Sequence, residues 1–165
     1  MRFISSQFVS RYDPTIEDRY TKVLEHHGIP IFLEILDTAG QDTFSSMREL
    51  YYKNGEGFAL VYSIKVAKSF ETVQQFYKDI ISLKTEPVPI VLVGNKKDLE
   101  KSREVSYSAG KELAQEWDID FVETSAKTGE NIDDIFHLLV EQMWAIKGAP
   151  AQLNGKEKKP KCTLL

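Results

Sequence analysis

The chain has 165 residues, 42% of them apolar, and a formal net charge of -4 from 21 Lys and Arg against 25 Asp and Glu. This is the size and apolar content of one domain with a hydrophobic core. There is no run of about 18 apolar residues and no apolar stretch after Met1-Arg2, which argues against a membrane-spanning helix and a signal peptide. Cys162 is the only cysteine, so no internal disulfide forms and a reducing compartment suits the chain.

The charge is unevenly spread. Lys147, Lys156, Lys158, Lys159 and Lys161 face only Glu157 in the last stretch, so the rest of the chain is markedly acidic. An acidic body argues against nucleic-acid binding, and a short basic tail fits an anionic surface such as an inner membrane leaflet.

In chain order, Tyr20 to His26 reads as a strand, His27-Gly28 as a turn, and Ile31 to Leu36 as a second strand, together a hairpin. Phe58 to Tyr62 and Ile90 to Val93 are near-continuous apolar runs, typical of strands covered on both faces. Phe121-Val122 is a short last strand. Helical spacing runs from Ser69 through Phe70, Val73, Phe76 and Ile80. A second helix opens at Ser106, and a third carries Ile132, Ile135, Leu139, Val140 and Met143. This alternation predicts an α/β fold, a mostly parallel sheet with flanking helices. After Gly148 the periodicity stops, which predicts a domain over 1–147 and a flexible basic tail over 148–165.

Ligands of open α/β sheets bind beyond the carboxyl ends of strands, so the residues after each apolar run matter most. Asp37-Thr38-Ala39-Gly40-Gln41 follows the second strand. Asp37 there can hold Mg²⁺ through water, Gly40 lets a backbone N–H approach a phosphate, and Gln41 can orient an attacking water. The same run also reads as a plain strand-to-turn acid. Asn95-Lys96-Lys97-Asp98 follows the strand at Ile90. The Asp98 carboxylate can accept two N–H bonds from the edge of guanine, with Asn95 tying loops together and the Lys96 stem over the base. In isolation such a run is more often a solvated polar turn. Thr124-Ser125-Ala126-Lys127 follows the last strand. Ser125 and Ala126 are small enough for a backbone N–H to reach the guanine oxygen, and Lys127 would flank the base; otherwise this is a helix-leading turn.

Ahead of the first strand lies Tyr12-Asp13-Pro14-Thr15-Ile16-Glu17-Asp18-Arg19-Tyr20. Pro14 keeps it extended, and the Thr15 hydroxyl is a suitable oxygen ligand for Mg²⁺, although an exposed acidic loop looks the same. Cys162-Thr163-Leu164-Leu165 places a cysteine fourth from the end with a terminal leucine, the pattern for geranylgeranyl attachment.

Three turn motifs in order, each after a buried strand, carry a resemblance to the Ras family of small GTPases over about Phe8 to Ile146, plus the tail. The resemblance implies a P-loop NTPase (Ras-like) fold. It implies GTP/GDP and Mg²⁺ as ligands, Gln41 as the catalytic residue, and Thr15 and Asp37 at the metal. Phe8 falls where the family has an aromatic ring against guanine. Tyr12 joins the nucleotide site along with Thr15, Gly40, Asn95, Lys96, Asp98, Ser125, Ala126 and Lys127. The stretch Tyr12, Asp13, Pro14, Thr15, Ile16, Glu17, Asp18 and Tyr20 looks like switch I, the effector-binding loop, and Asp37 to Gln41 like the start of switch II. Lys53 to Ile64 is most similar to the Rap branch, whereas Gln41 is more Ras-like. Arg19 stands where a serine is usual. The implied partners are effectors, a GTPase-activating protein and an exchange factor. The implied location is the cytoplasmic face of the plasma membrane or another inner membrane, lipid-anchored through Cys162.

The family also carries G-x-x-x-x-G-K-[ST] before switch I. Met1 to Arg11 contains no glycine. The expectation is therefore an N-terminally truncated domain, without the first strand, the P-loop and most of the first helix, and with Met1 to Phe8 as that helix's last turns. The missing donors and cation would cost on the order of 10 kcal/mol of phosphate binding. The missing strand would leave two inner strand edges unpaired, one on Ile31 to Leu36 and one on Phe58 to Tyr62. Two functions follow: a GTP-hydrolysing switch whose sequence is incomplete here, or a membrane-anchored interaction protein without nucleotide turnover.

Overall fold

The computed structural model describes residues 2–6, 17–38, 45–148 and 161–164. The chain opens with a helical turn α1 (Arg2–Ser5), then the hairpin β1 (Glu17–His26) and β2 (Ile29–Thr38). Helix α2 (Ser45–Asn54) leads to β3 (Phe58–Ser63), α3 (Ala67–Leu83) and β4 (Ile90–Asn95). A 3₁₀ segment (Lys97–Ser102) precedes α4 (Tyr107–Trp117), β5 (Asp120–Glu123), α5 (Ile132–Lys147) and a four-residue strand β6 (Lys161–Leu164).

The hairpin turn follows from its two residues. His27 and Gly28 both have positive φ (49° and 75°) and His26 pairs with Ile29, a two-residue loop of the mirror-image type that matches strand twist. Ser106 starts α4 as a side-chain cap, its hydroxyl accepting the Ala109 N–H. The strands run further than their apolar cores suggest, because ladder pairing continues through polar residues at both hairpin ends, as in Asp18 opposite Asp37. Helix α2, unanticipated from sequence, is only weakly amphipathic: Leu50 on it is exposed while Tyr52 packs beside Phe58.

β3, β4 and β5 form a parallel sheet in the order β3-β4-β5, with helices packed on it. This is the α/β architecture of P-loop NTPase-like domains. β4 is central, and its side chains alternate between two cores. Val91 and Val93 join Phe3, Leu24, Ile31, Leu33, Ile135, Leu139 and Val140 on the hairpin and α5 side. Ile90 and Leu92 join Phe58, Leu60, Tyr62, Val73 and Ile80 on the α3 and α4 side. Each fully buried side chain contributes about 1.5–3 kcal/mol, so β4 ties both halves together.

The hairpin belongs to a second sheet, β1-β2-β6. Two expectations change here. The β2 edge is paired, not open, because β6 lies parallel to it with Cys162 opposite Leu33. And the stretch after residue 148, expected to lack structure, contributes that strand. The physical reason is one: an open edge of a partly buried strand presents unmatched N–H and C=O groups, and a short extended segment satisfies them. β3 pairs only with β4 among the described residues. Between β2 and β3 lies a cavity of about 410 Å³ lined by Phe3, Ile35, Asp37, Leu60, Val61 and Leu139 among others. Val61 on this side of β3 is 50% exposed.

Candidate functional site

The turns after β4 and β5 come together at the carboxyl end of the parallel sheet. β4 ends at Asn95, and Lys96 then takes a left-handed conformation (φ 69°) that turns the chain into the 3₁₀ segment. Gly94 allows this close packing, since a Cβ there would sit 2.9 Å from the Tyr62 hydroxyl.

Five hydrogen bonds join the two turns, one of them from the Thr124 hydroxyl to Asn95 Oδ1 at 3.4 Å. Thr124 N–H donates to the Gly94 carbonyl at 2.9 Å, and Lys97 N–H to the Thr124 carbonyl at 3.0 Å. Ala126 N–H donates to Asn95 Oδ1 at 3.2 Å. The Ser125 hydroxyl donates to Asp98 Oδ1 at 2.6 Å. Asn95 Oδ1 also accepts the Lys96 N–H at 2.7 Å, so this one atom pins its own turn and the neighbouring one. Thr124 and Ser125 are buried, whereas Lys96, Asp98 and Lys127 are exposed. The buried members hold the frame and the exposed ones line an open rim.

Residues outside the expected set support that frame. Arg103 grips Glu123 through two parallel bonds, Nη1 to Oε1 at 2.6 Å and Nη2 to Oε2 at 2.8 Å. Glu123 is 4% exposed in its side chain and Arg103 16%. Hydrogen bonds from Glu123 and then Glu100 hold the Arg103 guanidinium pKa above its ordinary value. Glu123 precedes Thr124, so this clamp fixes where the second turn begins. Asn131 Nδ2 donates to the Glu123 carbonyl at 2.9 Å, and Lys97 Nζ pairs with Glu130 at 2.5 Å. None of these had a signal in the sequence, because an arginine and a glutamate twenty residues apart have no local pattern.

At the end of β2, Asp37 stands at the mouth of the cavity beside β3. Desolvation there, with the Asp18 carboxylate opposite it on the ladder, raises the Asp37 carboxyl above its ordinary value. Two like charges facing across a ladder repel, which suits a position that meets a cation. Tyr20 donates its hydroxyl to Asp18 at 3.2 Å, and Glu17 opens β1 opposite Thr38. Phe8, Tyr12, Asp13, Pro14, Thr15, Ile16, Gly40 and Gln41 lie outside the described residues. Of Cys162, the backbone is placed in β6.

A carboxylate on an open rim, with its second oxygen unbonded among the described residues, can accept paired N–H donors from a flat heterocycle. The sequence model described as the Ras family matches residues 1–145. With a match over most of its length, a parallel α/β sheet, and these two turns at the sheet's carboxyl end, the chain belongs to the Ras family of small GTPases.

Proposed function

We propose that this protein is a guanine-nucleotide switch whose base is read by Asp98. The observation that carries the reading is the pair of bonds Ala126–Asn95 and Ser125–Asp98, which holds the base-facing groups in place before any ligand arrives. Preorganised polar groups lose little entropy on binding and penalise a base that leaves them unmatched. Guanine offers adjacent N–H donors to Asp98, and its carbonyl oxygen can share the Ala126 N–H. Adenine presents an acceptor where Asp98 needs a donor.

In this reading Thr15 and, through water, Asp37 would hold Mg²⁺, which would neutralise phosphate charge, and Gln41 would position water for in-line attack on the γ-phosphate of GTP. Thr15 and Gly40 report the γ-phosphate, so hydrolysis releases both switch segments and lowers affinity for effectors at Tyr12 to Tyr20. A GTPase-activating protein would add an arginine to the transition state, and an exchange factor would reload the site. Geranylgeranyl attachment at Cys162 and the lysines before it would hold the protein at the cytoplasmic face of the plasma membrane or another inner membrane.

Base recognition is the half of nucleotide binding that the described residues carry, so the test addresses the base. Amide spectra of the 165-residue chain are recorded with GDP and with ADP at matched millimolar concentrations. GDP is expected to shift Lys96, Asp98, Ala126 and Lys127, and ADP to leave them in place. Equal shifts with both nucleotides would overturn the assignment.

A further inference from the structure

The chain has three histidines, and all three meet at one place outside the base turns. His26 and His27 sit at the tip of the β1-β2 hairpin. His137 lies on α5, one turn before Glu141, so both project from the same face of that helix. His26 Nε2 is 2.7 Å from Glu141 Oε2, and His27 Nε2 is 3.2 Å from the same oxygen. The three ligand atoms lie within 4.8 Å of one another. On the other side of the His26 ring, Nδ1 meets His137 Nδ1 at 2.9 Å.

We propose that His26, His27 and Glu141 form a binding site for a divalent transition ion of the zinc class, with His137 as the positioning residue. The donor set is two imidazoles and one carboxylate, which suits borderline ions such as Zn²⁺. Four-coordinate zinc needs nitrogen and oxygen donors about 2.0–2.2 Å from the metal, hence roughly 3.3 Å from each other. The existing spacing of 2.7 and 3.2 Å reaches that by small rotations of His27 and Glu141, which are exposed and free to adjust.

His26 is the rigid member. It is 7% exposed, stacks on His137 at 5.2 Å and meets Trp144 edge-on at 4.7 Å. Without metal the His26 Nε2–H faces Glu141; when an ion takes the place of that proton, His26 shifts to its Nδ1–H tautomer, which donates to His137 Nδ1. A ligating histidine fixed through its other nitrogen is the usual arrangement at such metals. Without metal, Glu141 Oε2 accepts from both His26 Nε2 and His27 Nε2, so one carboxylate oxygen already gathers the two imidazoles. A cavity of about 490 Å³, lined by the four residues together with Val122, Asp134 and Leu138, leaves room for water as a further ligand. A bound ion would staple the hairpin that joins the two switch segments to α5.

The test is titration of the full chain with Zn²⁺ alone, read by competition with a chromogenic chelator and by the visible spectrum of the Co²⁺ form. One equivalent is expected to bind saturably, and Co²⁺ to give the intense bands of a four-coordinate site. His27→Ala and Glu141→Gln, both at exposed positions, should each weaken binding at least tenfold while the unfolding temperature without metal stays within a few degrees. Cys162→Ser should bind as the parent does. A parent chain that takes up no zinc at micromolar concentration, variants that bind as tightly as the parent, or loss of binding in Cys162→Ser would each overturn the site and leave a hydrogen-bonded cluster only. The base turns contain none of these residues, so the outcome is independent of the nucleotide reading.

Discussion

Asn95 Oδ1 accepts the backbone N–H of Ala126 across 3.2 Å, and through that contact the turn after β4 fixes the turn after β5. The two residues are thirty-one positions apart, Asn95 at the end of β4 and Ala126 in the turn that follows β5. Their relationship makes one rim out of two loops.

Asn95→Ala removes the acceptor for both Lys96 and Ala126. Loss of stability of about 1–3 kcal/mol is expected from these orphaned donors. Denaturant unfolding checks the magnitude. Amide exchange checks the location, with Ala126 and Lys127 exchanging faster and Leu92 unchanged.

Arg103→Met strands the Glu123 carboxylate in a buried position. Removing one partner of such a pair costs about 3–5 kcal/mol, far more than the net worth of the pair. Combining Arg103→Met with Glu123→Leu should recover most of the loss. If the double variant is as unstable as the single one, the clamp does not act through charge burial.

Tyr62 carries a buried hydroxyl with no hydrogen-bond partner among the described residues, and burial raises its pKa. Tyr62→Phe removes that unmatched group and should leave stability unchanged or raise it by about 1 kcal/mol. Gly110→Ala should do the opposite. A Cβ there would lie 2.5 Å from the Tyr62 hydroxyl and 2.6 Å from Phe121, and overpacking of this kind costs about 1–3 kcal/mol. Thermal unfolding of the two variants separates the effects.

The elements legible in the sequence were those with strong local patterns. The apolar run at Ile90 gave β4, His27-Gly28 gave the hairpin turn, and Ser106 gave the start of α4. The candidate base residues were legible because each follows a buried strand directly. What stayed hidden depends on distant pairs: the Arg103–Glu123 clamp, the convergence of His26 with His137, and the pairing of Lys161–Leu164 with β2. The last of these was hidden because the composition of the tail predicts no structure, while the demand for pairing comes from the edge of another strand.

Cys162→Ser should shift the protein from membrane to soluble fractions in cells that attach isoprenoids. One prenyl chain binds membranes only marginally, and each lysine near an anionic leaflet adds about 1 kcal/mol, so both signals are needed. Replacing Lys156, Lys158 and Lys159 with Gln should weaken recovery without abolishing lipid attachment. A Cys162→Ser variant that stays with membranes would remove the anchor from the account.

The central claim is that Asp98 reads the exocyclic amine of guanine. Affinities of the chain for guanosine and inosine diphosphates, measured by amide-shift titration with and without Asp98→Ala, test it most directly. Inosine lacks that amine and so one charge-assisted bond, about 1.5–3 kcal/mol, or roughly 10–150-fold in affinity. The account predicts that preference in the parent chain and its disappearance in Asp98→Ala. A parent that binds both nucleotides equally, or a variant that keeps the preference, would contradict it.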